Sequence, residues 1–137
     1  MTDTVIRGHA GIGGKVTGIA LVGRDSFSAR YDLDRDRGVF ARPGHALEGE
    51  SYVGRILVLD KAKGGVATAW MFGEMSRTGK APKALLLNVA NPIMAQGAAF
   101  SEIALMHDFE TDITEAVRTG DEVTVDPAAG TVTVRRK

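Results

Sequence analysis

Apolar positions along the chain fall into short uninterrupted blocks divided by glycine-rich or charged stretches. Three of these blocks set the expected architecture: residues 16–22 (VTGIALV), 55–59 (RILVL) and 84–89 (ALLLNV). Consecutive apolar residues over four to six positions are the mark of strands buried on both faces. The block at 16–22, flanked by Gly14 and Gly23, reads as the first core strand. Beyond residue 59 an Asp-Lys stretch and Gly64-Gly65 intervene, and apolar positions then resume at helical spacing through Trp70, Met71 and Met75. Thr78, Gly79, Lys80, Ala81 and Pro82 close that helix with a glycine cap and a following proline. Strand, helix and strand together predict a βαβ-like crossover, right-handed if the strands are parallel.

The rest of the chain is patterned less strongly. Residues 93–99 (IMAQGAA) predict a short helix or coil broken at Gly97 after a turn at Asn91-Pro92. Gln96 and Gly97 either approach the same strand ends as the glycine loop or pack a helix through small residues. A short apolar run at 103–106 leads into residues 107–114 (HDFETDIT), read as a helix entrance with Asp108, Glu110 and Asp112 in its early turns. The final stretch, EVTVDPAAGTVTVRR, alternates on either side of residues 126–130 and predicts a β-hairpin. The expected fold is α/β: one β/β/α domain closed by that hairpin.

Composition narrows this further. A chain of 137 residues with 44% hydrophobic content supports one ordinary core. We therefore expect a single domain over 1–137, with its core at about 16–134. Lys plus Arg and Asp plus Glu balance at 17 each, so no global field recruits nucleic acid. The absence of cysteine excludes disulfides, thiolate catalysis and cysteine-ligated metal within this chain. The start has no apolar signal-like region, and no run approaches the roughly 18 residues of a membrane helix. A cytoplasmic protein away from membranes is the expectation.

Candidate chemistry concentrates at the glycine loop. Gly64 and Gly65 can turn sharply and bring backbone N–H groups close to a ligand, and the helix N-terminus that follows favours an anion. A carboxylate or phosphate near Lys63 to Thr68 is one reading; a tight strand-to-helix connection is the other. Ser26, Ser28 and Arg30 bracket Phe27, an arrangement suited to a carboxylate-binding loop. The charged run through residues 25–38 reads as metal-binding, as an ion-pair lattice, or as a solvated loop turning at residues 36–38, the last fitting its charged half best. His45 reads as a general base or, after Pro43-Gly44, as a surface or loop-packing residue. His9, His45 and His107 have no metal-ligand spacing, so no metal site is expected from this chain alone.

Several ordered blocks resemble the small, swivelling subunit of the aconitase X family. They are GIALV at 18–22, Ser26-Phe27, the D-x-D-R-x-x-G run at 32–38, and HALEGESYVGRILVL at 45–59. The blocks continue through K-x-K-G-G at 61–65, GKAPKALLL at 79–87, NPIMAQGA at 91–98 and GDEVTVDPAAGTVTV at 120–134. The resemblance implies a swivelling β/β/α domain similar to the mobile domain of aconitase, closing on a larger aconitase-like catalytic subunit. It also implies dehydration of a hydroxy carboxylic acid, since known members act on cis-3-hydroxy-L-proline or 5-phosphomevalonate. This chain would bind no cofactor, leaving any iron–sulfur cluster or metal to the large subunit.

One departure bears on mechanism. Family members commonly read like K-G-R-G-S-S-S-G-S in the loop, where this chain has KAKGGVATA at 61–69. Lys63 replaces the family's arginine with its charge kept and its bidentate geometry lost. The serine that aconitase analogy makes the catalytic base falls at Gly65. Thr68 is the hydroxyl remaining in the loop, and Ser26, Ser28 and Tyr31 are alternatives if their segment folds over it. The expected site is thus Thr68 in the catalytic role with Lys63, Gly64, Gly65, Ser26, Ser28 and Arg30 binding substrate. Three functions stay open at this point: a hydro-lyase small subunit, a non-catalytic lid or regulatory subunit, and a free-standing carboxylate-binding domain.

Overall fold

A computed structural model of the protein describes residues 2–28, 32–63, 66–90 and 92–136. In chain order its elements are β1 (Thr2–Arg7), β2 (His9–Ile12), β3 (Val16–Val22), β4 (Leu33–Asp34), β5 (Val39–Phe40), β6 (Ile56–Lys61) and α1 (Val66–Arg77). There follow β7 (Ala84–Val89), α2 (Pro92–Phe100), β8 (Ala104–His107), α3 (Ile113–Ala116), β9 (Glu122–Asp126) and β10 (Thr131–Arg136). Eight strands form one sheet in the order β1-β10-β9-β3-β6-β7-β8-β2, and β4 pairs with β5 separately. The crossover β6-α1-β7 joins parallel strands, as do β3 with β6 and β7 with β8. The other sheet ladders are antiparallel, including the β9–β10 hairpin.

Two corners close the sheet, one within β3 and one between β1 and β2. Val16 to Ile19 of β3 pair with β9, while Ala20 to Val22 of the same strand pair with β6. The opposite corner is the N-terminal segment, whose β1 lies against β10 and whose β2 lies against β8. The two edges of the sheet are therefore joined through Gly8, giving a curled two-layer wall. Close passage at this corner requires glycine at position 11, where a Cβ would stand 2.0 Å from the Leu105 carbonyl oxygen.

Alternation along the central strands sorts side chains into two cores. Ile56 and Val58 of β6, Ala84 and Leu86 of β7, and Ala104 and Met106 of β8 point into the wall to meet Val123, Val125, Val132 and Val134. Leu57 and Leu59, Leu85 and Leu87, and Leu105 face the other way and pack beneath the helices with Phe27, Phe40, Tyr52 and Phe72. That explains the uninterrupted apolar runs: both faces of these strands are dry.

Helix α1 stops as its sequence predicts. Gly79 has φ +76°, Lys80 N–H donates to Met75 O at 3.0 Å, and Gly79 N–H to Ser76 O at 3.3 Å. Three local expectations need correction. The helix α2 runs through Gly97 unbroken, because Gly97 and Ala98 are buried and that packing outweighs glycine's penalty of about 1 kcal/mol. Asp108 and Glu110 precede α3 rather than entering its first turn; only Asp112 serves it, as the N-cap. Two strands, β1 and β2, come before the block at 16–22. They hold through backbone ladders, with Ile6 buried and Val5 open to solvent. Among the described residues no helix is long and apolar enough to cross a membrane.

Candidate functional site

Because β3, β6, β7 and β8 are parallel, their carboxyl ends share one edge of the sheet. Helices α1 and α2 begin just beyond the ends of β6 and β7. Ligands of α/β sheets bind outside such strand ends, where backbone groups leave the ladder and helix N–H groups are free. Here the ladder extends past the named strands. Asp60 N–H donates to Asp25 O, Phe27 N–H to Lys61 O and Lys63 N–H to Phe27 O, each at 2.8 Å. The segment around Ser26 is thus laid alongside Lys61 to Lys63. Phe27 fixes it from below, fully buried, stacked on Phe72 at 6.1 Å and edge-on to Phe40 at 6.3 Å.

Under this segment lies a polar cluster that the charged run at 25–38 does not advertise. Asp32 is 3% exposed. Its Oδ2 accepts the Ser28 N–H at 2.8 Å and its Oδ1 accepts Arg42 Nε at 2.5 Å. The His45 ring is buried, stacked on Phe40 at 4.8 Å. Its Nδ1 accepts the Leu47 N–H at 3.0 Å, which places the ring proton on Nε2, donating to Ser26 O at 2.9 Å. Asp25 completes the cluster by accepting N–H groups of Ser26 at 2.7 Å and Ala46 at 3.2 Å. Burial pushes the Asp25 carboxyl upward, but those two N–H groups and the charge of Arg42 hold it below the ordinary value. The hydrogen bond to Asp32 raises the Arg42 guanidinium further, so this arginine stays charged. A solvated loop is therefore the wrong description of Asp25 and Asp32, although Asp36 and Arg37 are exposed as expected.

The residues expected from sequence distribute as follows. Lys63 is exposed at the strand edge, Ser26 is half-buried beside it, and Ser28 is buried with its N–H on Asp32. Thr68 is the third residue of α1. Arg30, Tyr31, Gly64 and Gly65 lie outside the described residues. Gln96 is exposed partway along α2. Asp32, Arg42 and the buried state of His45 are what sequence reading missed. The available signal was their interleaving with Phe27, Leu33, Phe40 and Leu47, all of which are buried.

Three other polar features stand apart from this cluster. His9 and His107 meet across β2 and β8 with ring centroids 5.5 Å apart. Yet among the described residues no group of three or more His, Asp or Glu could hold a metal. With no cysteine, the chain offers no thiolate to an iron–sulfur cluster. A depression of about 330 Å³ lies between β4 and α1, lined by Leu33, Asp34, Arg35, Asp36 and Glu74. The buried Tyr52 hydroxyl has no hydrogen-bond partner among the described residues, and burial pushes its pKa up to about 12.

Comparison with known proteins places the chain in a family. The aconitase X swivel domain matches residues 5–134. The phosphomevalonate dehydratase small subunit of Methanocella arvoryzae is 35% identical over 127 residues, covering 93% of this chain and 96% of that protein. The phosphomevalonate dehydratase small subunit of Pyrococcus abyssi is 34% identical over 119 residues, covering 87% and 89%. Among solved structures, Thermococcus kodakaraensis aconitase X in its holo form superposes with a TM-score of 0.90 at 28% identity, covering 97% of this chain and 99% of that chain.

Proposed function

Since the chain belongs to the aconitase X swivel domain family, we propose that it is the small subunit of a heteromeric hydro-lyase dehydrating a hydroxy carboxylic acid. The observation carrying this reading is the end-to-end likeness to phosphomevalonate dehydratase small subunits, 93% of this chain against 96% of one relative. A phosphomevalonate-like acid is the preferred substrate, with cis-3-hydroxy-L-proline as the alternative. Both carry the leaving hydroxyl on the carbon β to a carboxylate, so one elimination serves either: the proton leaves the α carbon, and hydroxide departs as water from the β carbon.

In this reading the whole chain acts in the cytoplasm as one swivelling unit, closing the carboxyl edge of its sheet over a larger aconitase-like subunit. Negative charge builds toward the substrate carboxylate as the α proton leaves. Lys63, with N–H groups around Gly64 and Gly65, stabilises that charge, and Ser26, Ser28 and Arg30 help seat the acid. Thr68 supplies the hydroxyl that bonds to substrate or relays the proton. Any iron–sulfur cluster or metal used in the reaction belongs to the large subunit.

The test is co-expression with the large subunit. The assembled pair should dehydrate 5-phosphomevalonate while the isolated chain folds and turns over nothing, because it lacks a full acid, base and electrophile set. Turnover by the chain alone, or failure to bind any aconitase-like large subunit, would reject the proposal. Gly65, standing where the family's serine is expected, favours a second reading in which this subunit is a lid and the proton chemistry resides in its partner. Substitution of Thr68 separates the two.

A further inference from the structure

We propose that His45, acting with Asp32, Arg42 and Asp25, is a positioning residue that fixes the Ser26–Ser28 backbone against Lys61–Lys63 before substrate arrives. Its relevance to substrate rests on the dehydratase reading; its mechanical part does not. The geometry is that of a clamp with two jaws. One jaw is residues 25–28 tied to Asp32, by the Asp32 N–H donating to Ser28 O at 3.0 Å and by Ser28 N–H donating to the Asp32 carboxylate. The other is the 41–47 segment, whose Ala41 and Arg42 N–H groups donate to Asp32 O at 2.8 and 3.2 Å.

His45 bolts the jaws together. Its Nδ1 is committed to Leu47 of its own segment, and its Nε2–H reaches across to Ser26 O. Both Asp32 and Asp25 stand close to that same nitrogen, at 3.6 and 3.9 Å. An imidazole with both nitrogens engaged, its ring covered by Phe40 and its side chain out of solvent, is poorly placed to shuttle protons. It is well placed to hold a carbonyl. Ser26 O lies one peptide before Phe27, whose own N–H and C=O join Lys61 and Lys63. Loss of the His45 bond should therefore loosen the backbone that sets Ser26 and Lys63 side by side.

Two near-isosteres divide the histidine's roles. In His45→Asn the amide reaches the Nδ1 position and can still accept from Leu47, but nothing donates to Ser26 O. In His45→Gln the amide nitrogen reaches the Nε2 position and can donate to Ser26 O while the Leu47 bond is lost. Amide hydrogen exchange on the isolated chain reads the clamp directly. Phe27, Ser28 and Lys63 amides should lose roughly 3- to 10-fold protection in His45→Asn and much less in His45→Gln, the scale of one hydrogen bond. Amides of Leu57 and Leu86 should not change in either. Equal losses in both variants, or losses spread to Leu57 and Leu86, would overturn the clamp in favour of general core packing. In the assembled enzyme, His45→Asn should raise KM by roughly 3- to 10-fold with kcat held, and His45→Gln should restore it. An unchanged KM in an active enzyme overturns the substrate-positioning role. Expected exchange behaviour with no dehydratase activity in the wild-type pair instead refutes the functional reading and leaves the clamp standing.

Discussion

The inner core of the wall and the carboxyl edge of the same sheet are built from adjacent residues on different physical terms. Inside the wall the contacts are apolar and mostly aliphatic, with Ile56, Val58, Ala84 and Leu86 meeting the four valines of the hairpin. Stability there comes from apolar area removed from water and from volume fit. At the edge, in the loops between β3 and β6, the buried Asp32 carboxylate and His45 imidazole meet the half-buried Asp25 and Arg42 in a web of hydrogen bonds. Those bonds contribute little net stability but are costly to leave unmade. The interior thus tolerates changes of detail that preserve volume, whereas the edge fixes a backbone shape, which is what a ligand-facing segment needs.

The largest expected effect breaks the first of these terms. Leu86 is fully buried in the inner core, so Leu86→Ala should cost about 2–5 kcal/mol, the range for leucine truncation in rigid cores. Denaturant unfolding should show a lower midpoint with the slope unchanged. A loss under about 0.5 kcal/mol would mean that the wall collapses around the cavity and is softer than its packing implies.

This contrast also explains what the sequence could disclose. Strands at 16–22 and 84–89, the helix between β6 and β7, its glycine cap and the final hairpin were all readable, since each advertises itself in local periodicity. The N-terminal strands were not, because their partners lie far away: Thr2 pairs with Arg136 and His9 with His107. At the edge, Phe27 was readable as an anchor and Lys63 as the loop cation. Burial of Asp32 and His45 was hidden because Phe27, Phe40 and Tyr52 create it from three separate segments. A charged run looks solvated until something covers it.

The next two predictions target the edge, where function should fall without stability. Thr68→Val removes a hydroxyl at nearly constant shape, and if that hydroxyl handles the proton, turnover of the assembled enzyme should drop by about 100-fold or more. A change under about threefold with the complex intact would assign the proton chemistry to the large subunit. Lys63→Met should cost roughly 10- to 150-fold in activity, the equivalent of about 1.5–3 kcal/mol for one charge-assisted bond to substrate. Its melting temperature should stay put, because an exposed cation contributes little to folding. A matching loss of stability would make Lys63 a structural residue and remove it from the site.

The smallest effect lies on the seam between the two regions. Asn88, near the end of β7, donates from Nδ2 to Asp60 at 2.9 Å and to Asp112 at 2.8 Å, and accepts Ile113 N–H at 2.9 Å. Asp112 in turn caps α3, whose Ile113 belongs to the inner core. The Thr114 hydroxyl foremost, then the Asn88 amide, hold the Asp112 carboxyl below its ordinary value. A carboxyl whose folded value is depressed stabilises the fold above its unfolded value, near 3.9, and loses that contribution as pH falls through the folded one. With its side chain 39% exposed, the amount is modest. Asp112→Asn keeps a capping oxygen and should cost less than about 1 kcal/mol at neutral pH. The wild-type advantage should shrink as pH falls below about 4 and vanish once Asp112 is protonated. An advantage that stays constant down to about pH 2.5 would show that the carboxylate's charge contributes nothing. The seam would then be held by hydrogen-bond geometry alone, as at the His45 clamp.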